Sequence, residues 1–326
     1  MSEPVLSIVV PAYNVERYVG EAVASALAQT LAGIEVVVVD DGSTDGTPAV
    51  LASLADPRLR VVRQANAGLS AARNAGIRAA RAELVGFLDG DDRWHPGKAA
   101  RHLAHMRDEP GVGISYSHSA YVDEDGRDTG RRLVSASASP DLRAMILRNR
   151  VGNGSTPVVR AACFREAGTF DETLRSCEDW EMWVRILRDT RWRAGLVPEV
   201  LTDYRINTRS LSMMDPAPFL RAAEAAAARV RRETPGMPGS VVDRGLAMSY
   251  RIAATKAYVS GDRRTALGLV GRALRLAPSL AVSDPRLAGT LAALAAPRWA
   301  TAAAHRAVAA LAGARRGPVS PGPLPR

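Results

Sequence analysis

Four short, nearly continuous apolar runs at 5–10, 34–39, 59–63 and 84–88 constrain this chain most, because each ends in polar residues and stretches of helical spacing separate them. A strand with one wet face alternates apolar and polar residues, whereas these runs barely alternate, so they belong to a parallel sheet covered on both faces. Tyr18, Ala22, Ala26 and Leu27 mark the first covering helix, and 48–54, 69–80 and 95–107 supply the next three. The expected fold is therefore α/β, with a Rossmann-like, mostly parallel sheet flanked by helices. Farther on, 112–117 is expected as a strand and Asp123-Glu124-Asp125-Gly126 as a hairpin turn. The serine-rich stretch 131–140 is expected as a mobile loop, and 141–149, 158–168 and 178–190 as helices or helix fragments.

At 326 residues and 47% hydrophobic, the chain can bury one large domain with an appendage. Cys163 and Cys177 have neither metal-ligand spacing nor the company of a disulfide scaffold, which points to a reducing compartment. The amino terminus lacks the positive leader of a secretory signal. Apolar stretches in the last third are interrupted by Arg286 and Arg298, short of the ~20 residues a membrane span needs, so a cytoplasmic protein is expected.

The net charge of +9 is concentrated: residues 216–326 hold 17 Lys+Arg against 5 Asp+Glu. Their aromatics, Phe219, Tyr250, Tyr258 and Trp299, are scattered rather than interleaved with arginines, which argues against a nucleic-acid stacking platform. An anionic membrane surface at the inner face, or a partner protein, suits such a basic, Ala-rich helical region, as does a simple solvated face. Only Lys98 and Lys256 are lysines, so genome composition also contributes to the arginine bias. Residues 250–278 resemble one tetratricopeptide-like helical hairpin, and 317–326 is expected to be a disordered tail.

Polar loops at 11–14, 40–47 and 89–92 follow three of the strands, and in a parallel sheet these carboxyl ends share one crevice. Neither a Gly-x-Gly-x-x-Gly fingerprint nor a Gly-Lys-Ser/Thr phosphate loop is present, which removes the dehydrogenase and P-loop readings. Four segments, Ser7-Ile8-Val9-Val10-Pro11-Ala12-Tyr13-Asn14, Val39-Asp40-Asp41-Gly42-Ser43-Thr44-Asp45, Asn66-Ala67-Gly68-Leu69-Ser70-Ala71-Ala72-Arg73-Asn74 and Phe87-Leu88-Asp89-Gly90-Asp91-Asp92, together resemble a family 2 glycosyltransferase of the GT-A fold. The similarity is densest over the first ~95 residues and weaker to about 212. It implies a catalytic domain over 1–215, with a nucleotide-binding half (1–110) and an acceptor half (111–215). A basic α-helical region (216–316) and the tail would follow.

The resemblance also implies roles. Asp41 would accept the imide N–H of a uracil or thymine, Tyr13 would pack on the base, and Pro11-Ala12 and Asn66 would lie beside it. Asp89 and Asp91 would form the Asp-x-Asp pair, with Asp89 on ribose or metal and Asp91 on Mg²⁺ or Mn²⁺ bridging the diphosphate. Asp92 would take either that site or the cap of the next helix. Arg73 would reach a phosphate or pair with an acidic neighbour. In Cys177-Glu178-Asp179-Trp180, Asp179 is the expected general base, with Glu178 second, and the apolar Trp180 and Trp183 would raise its pKa.

These roles describe an inverting, metal-dependent transfer from a UDP- or dTDP-type nucleotide sugar to a hydroxyl of a carbohydrate or lipid-linked acceptor. Such transfer serves cell-surface polysaccharide, glycolipid or glycoconjugate synthesis. Acceptor loops are expected near 118–157 and 204–214. Asn207 stands where many relatives carry a histidine near the metal, and the Gln-x-x-Arg-Trp motif of processive synthases is absent, Arg298-Trp299 being misplaced for it. Single-residue transfer is thus favoured over polymerisation. The rival readings are a non-catalytic nucleotide-sugar-binding or scaffold protein and a sugar nucleotidyltransferase.

Overall fold

The computed structural model describes residues 3–206, 216–295 and 308. Nine strands form one sheet: β1 (Leu6–Ala12), β2 (Ile34–Asp40), β3 (Leu59–Arg63), β4 (Leu84–Phe87), β5 (Arg93–Trp94), β6 (Val112–Val122), β7 (Asp128–Leu133), β8 (Val158–Arg160) and β9 (Arg193–Arg205). Their order is β3-β2-β1-β4-β8-β6-β9-β5, with β7 paired to β6. The first four are mutually parallel. Because β2 and β4 flank β1 on opposite sides, the carboxyl ends of β1 and β4 form a topological switch point, where ligands of open α/β sheets bind.

Every residue of β1 and β2 is buried, as their unbroken apolar runs require. Leu6, Ile8 and Val10 pack on the side of α1 (Val19–Leu27), while Val9 faces the opposite core. Helix α2 (Thr47–Ser53) follows β2, and α3 (Leu69–Ala79) follows β3. Close packing of α3 on the sheet depends on Gly76, where a Cβ would sit 2.2 Å from Val9 Cγ1.

The second half differs from the expectation in detail. Strand 112–117 continues to Val122, and β7 occupies the start of the expected 131–140 loop, joined through the expected turn at Gly126 (φ 80°). The segment at 158–168 opens as β8, which runs antiparallel between β4 and β6, before α6 (Ala161–Ala167). Three residues, Val158-Val159-Arg160, could not show from spacing alone whether they opened a helix or filled a sheet gap. Between β7 and β8 lies α5 (Leu142–Leu147), capped by Asp141, whose Oδ1 accepts Ala144 N–H at 2.7 Å. Helix α4 (Lys98–Asp108) starts after Gly97, so Asp92 does not cap it.

Helix α7 (Glu178–Asp189) buries Trp180, Met182, Trp183 and Ile186. Five helices follow: α8 (Pro216–Glu233), α9 (Gly239–Val259), α10 (Arg263–Leu276), α11 (Leu280–Ser283) and α12 (Pro285–Ala295). They are more than an attachment to the surface, because one core runs from Phe87 and Trp183 through Met145 and Ile146 to Leu246, Tyr250 and Leu269. At the crossing of α9 over α5, a Cβ on Gly245 would lie 2.5 Å from the Ile146 carbonyl oxygen. The α9–α10 hairpin expected at 250–278 is present, with Gly261 (φ 90°) in its turn. Asn207, Arg298, Trp299 and the expected tail lie outside the described residues.

Candidate active site

The loops after β1, β2, β3 and β4 converge on a cleft of about 1340 Å³, which also receives residues 147–149, 152–154 and 172–180 and the inner faces of α8 and α9. At one end Pro11 and Ala12 close β1, and Tyr13 stands 49% exposed beside them. The turn is fixed by cross-loop hydrogen bonds: Asn14 N–H donates to Ser43 Oγ (3.1 Å), and Thr44 N–H donates to Asn14 Oδ1 (2.8 Å). Asn14 adopts a left-handed backbone (φ 51°), which asparagine tolerates better than most residues.

Asp41 is nearly buried and organises the neighbouring loop. Its Oδ1 accepts from Gln64 Nε2 (2.7 Å) and Ala67 N–H (3.0 Å), and its Oδ2 accepts from Gly68 N–H (2.8 Å). Three of a carboxylate's roughly four acceptor positions are therefore taken, and one is left on Oδ2. Asn66, on the loop that Asp41 holds, is exposed and lines the same end of the cleft.

The acidic turn after β4 is clamped from behind. Ser155 Oγ accepts Asp89 N–H (2.9 Å) and donates to Asp92 Oδ2 (2.6 Å), while Arg205 N–H donates to Asp92 Oδ1 (2.8 Å) and Arg205 Nε to the Asp91 carbonyl (2.7 Å). Asp92 is thus buried as an internal strut behind the turn. Burial, then the Asp91 and Asp89 charges, push its carboxyl well above the usual carboxylate range. Asp89 and Asp91 both remain on the cleft wall.

Arg73, 2% exposed, joins the two halves of the site. Its Nη2 donates to Asp89 Oδ1 at 2.8 Å and its Nη1 to Glu178 Oε1 at 2.7 Å. Burial opposes its charge, but the Asp89 and Glu178 carboxylates outweigh burial and hold its pKa above the ordinary guanidinium value. Of the two roles expected for Arg73, the structure displays the acidic pairing.

Asp179 lies next to Glu178 in the first turn of α7, lining the cleft. Its Oδ1 accepts Trp180 N–H (2.7 Å) and its Oδ2 accepts Asn149 Nδ2–H (3.1 Å). Burial and the Glu178 charge raise its pKa to about 7 against the opposing pull of Arg73. The preceding Cys177 holds a left-handed backbone (φ 58°), a conformation costly for a side chain of this kind, and it turns the chain into α7 at the cleft. Trp180 and Trp183 pack inward as the helical period requires.

The donor set suits a hard cation. Among the described residues no three His, Cys, Asp or Glu side chains converge on a metal-sized site. Two carboxylates, Asp89 and Asp91, match the habit of Mg²⁺, which takes one or two carboxylates and completes its shell with water and substrate phosphates.

With this geometry established, the sequence profile of glycosyl transferase family 2 matches residues 7–174, more than half of the chain. The chain belongs to glycosyl transferase family 2. Among curated relatives, the uncharacterized glycosyltransferase EpsJ of Bacillus subtilis is 34% identical over 64% of this chain and 63% of its own length. The succinoglycan biosynthesis protein ExoO of Rhizobium meliloti is 42% identical over 38% and 36%. The first relatives, EpsJ and a Rickettsia typhi glycosyltransferase, are matched over about three fifths of their own length. The fold is GT-A. Staphylococcus aureus TarS 1–349 in complex with UDP-GlcNAc superposes with a TM-score of 0.63 at 19% identity, covering 94% of this chain and 91% of that one. The Pyrobaculum calidifontis mannosyltransferase PcManGT, in complex with GDP-Man and Mn²⁺, superposes with 0.59 at 20%, covering 95% and 87%.

Several residues that shape this family 2 site were not identified from sequence: Asn149, Ser155, Arg205 as a clamp, and the α8–α9 wall with Phe219, Met248 and Lys256. The glycine-rich Gly152-Asn153-Gly154-Ser155 was a visible signal, because such a turn allows close backbone approach.

Proposed function

We propose that the chain is an inverting, cation-dependent glycosyltransferase that moves a sugar from a uridine or thymidine diphosphate donor to a hydroxyl of a carbohydrate or lipid-linked acceptor. The observation that carries this reading is the Arg73 bridge, which holds the Asp89–Asp91 turn and the Glu178–Asp179 pair in one cleft. UDP-GlcNAc in TarS and GDP-Man with Mn²⁺ in PcManGT support a nucleotide-sugar donor and a cation on this fold. The name of ExoO supports a place in polysaccharide synthesis.

In this mechanism Tyr13 packs on the base, Pro11 and Ala12 form its floor, Asn66 borders it, and the open Oδ2 position of Asp41 takes the imide N–H. Asp91 and Asp89 would hold the divalent cation. Bound there, the cation offsets charge developing on the departing diphosphate. Arg73 acts on the donor by fixing Asp89 and on the acceptor side by fixing Glu178. Asp179 removes the acceptor hydroxyl proton as the oxygen attacks the anomeric carbon, and a single displacement of this kind inverts that carbon. A pKa near 7 lies where a general base is most effective at neutral pH.

On this reading the catalytic unit is 1–215, and α8 and α9 of the helical region complete its acceptor side. No helix among the described residues is long and apolar enough to cross a membrane. The arginine excess of the last third, with Leu267 and Val282 exposed on it, supports peripheral contact with the anionic inner membrane face or with a partner protein.

Nucleotide release from UDP-, dTDP- and GDP-sugars with Mn²⁺, across an acceptor panel, tests the proposal. Turnover of a uridine or thymidine donor is expected, and pyrophosphate release from a sugar phosphate and a nucleoside triphosphate should be silent. Binding confined to GDP-sugars would overturn the Asp41 contact. Tight binding without transfer to any acceptor would leave a binding protein instead.

A further inference from the structure

We infer that Asn149, in the loop between α5 and β8, is the positioning residue that orients the Asp179 carboxylate toward the acceptor hydroxyl. The inference rests on the reading of Asp179 as general base. Asn149 is locked in a single amide orientation: its Oδ1 accepts Val151 N–H (3.0 Å) and Gly152 N–H (3.3 Å), so its two amide hydrogens must point the other way. Nδ2 then donates to the Gly152 carbonyl (3.2 Å) and to Asp179 Oδ2 (3.1 Å). An asparagine whose oxygen is held by two backbone donors cannot flip to present an acceptor to Asp179.

The consequence for the carboxylate is geometric. Trp180 N–H fixes Oδ1 from within the helix, and Asn149 fixes Oδ2 from across the cleft, so the plane of the carboxylate is set at both ends. Glu178, Arg73 and Asp89 are the charged groups that act on it, and none of them donates a hydrogen bond to it. Asn149 is therefore the side chain that supplies orientation. Six residues on, Ser155 clamps the Asp89–Asp92 turn. One loop thereby sets both the carboxylate that takes the proton and the turn that faces the leaving group.

Asn149→Asp removes the orienting bond. It is isosteric and keeps an oxygen for the Val151 and Gly152 N–H groups, but it faces Asp179 with an acceptor and a second negative charge where a donor stood. Transfer should fall about 10- to 100-fold or more, at least the size of one hydrogen bond to a charged group, in kcat, with the donor KM little changed, and the melting temperature should drop above pH 7, where the two carboxylates repel. Asn149→Ser, which retains a short donor, should recover part of the loss. In an Asp179→Asn background, Asn149→Asp should cost nothing further, because there is no longer a base to orient. Wild-type kcat in Asn149→Asp alongside an inactive Asp179→Asn overturns the inference and leaves the base standing. Losses that add independently in the double variant overturn it too, as a purely structural role would produce them. Full activity in Asp179→Asn removes the base and this inference together.

Discussion

Arg73 Nη1 donates to Glu178 Oε1 at 2.7 Å, joining residues 105 positions apart in sequence across the middle of the cleft. The other terminal nitrogen of the same guanidinium, Nη2, holds Asp89, and its Cζ lies over the Phe170 ring, 5.5 Å from the centroid. A planar fork can serve two carboxylates in different directions at once, which a lysine ammonium on a flexible stem does poorly.

Arg73→Met should therefore leave two carboxylates facing each other without their cation. Breaking a buried pair from one side costs about 3–5 kcal/mol, and urea denaturation should register a loss of that order. Arg73→Lys should recover part of the stability and little of the transfer, since one ammonium cannot keep both contacts. Equal activity in Arg73→Lys and the natural protein would show that the bridge does not set the site.

Asp179 links the site to pH in two measurable ways. Its carboxyl titrates near pH 7 in the folded chain, against an ordinary value near 3.8. On the proposed mechanism the carboxyl must be ionised to accept the proton, so transfer should rise with pH through an acidic limb near 7. Its pKa is raised on folding, so between these values the unfolded chain has released a proton that the folded chain retains. Stability must then fall as pH rises across that window. Asp179→Asn should be more stable than the natural protein at pH 8, with the advantage fading below pH 4, while transfer falls about 10²- to 10⁴-fold. Denaturation curves at the two pH values check the first point, and kcat profiles the second.

The first four strands and their loops were legible because their pattern is local: strands buried on both faces declare themselves by unbroken apolar runs, and each polar loop immediately follows its strand. Asp41, Asp89 and Asp91 fell where the strand ends required. Their partners were not legible, since Gln64, Ser155 and Arg205 act through hydrogen bonds to residues distant in sequence, made only by tertiary folding. The three-residue β8 was too short to carry a period, and the α8–α9 wall looked from sequence like an appendage. Its alanines show helix but give no sign of which face would meet Met145 and Ile146. Asp92 illustrates the remaining ambiguity, because one carboxylate in a run of three became a strut only when Ser155 and Arg205 closed on it.

Asp91→Asn keeps shape and removes charge. On the proposed mechanism its effect should appear only with the cation: calorimetric titration of UDP should show tighter binding with Mn²⁺ in the natural protein, by about tenfold or more, and no such gain in the variant. Chelation with EDTA should abolish transfer and leave the melting temperature unchanged, because among the described residues no three His, Cys, Asp or Glu side chains form a metal cage within the fold. Transfer that persists under EDTA would rule out cation dependence.

Gly154 offers a test of how tightly the bridge is confined. A Cβ built there would stand 2.3 Å from Arg73 Nη2 and 2.8 Å from Asp89 Oδ2, closer than real atoms approach. Contact with the end of an exposed arginine would be relieved by a rotamer change, but Arg73 is 2% exposed and held at both ends by carboxylates. Gly154→Ala must therefore move the loop away or separate Arg73 from Asp89. Overpacking of this kind costs about 1–3 kcal/mol, and the loop also carries Ser155, so the Asp89 turn should shift with it. The variant should lose more than tenfold in transfer while retaining a cooperative unfolding transition. Gly97→Ala, where a Cβ meets nothing within 4 Å, serves as the control and should transfer sugar normally. If both variants transfer alike, the close approach at Gly154 has no part in holding Arg73 on Asp89.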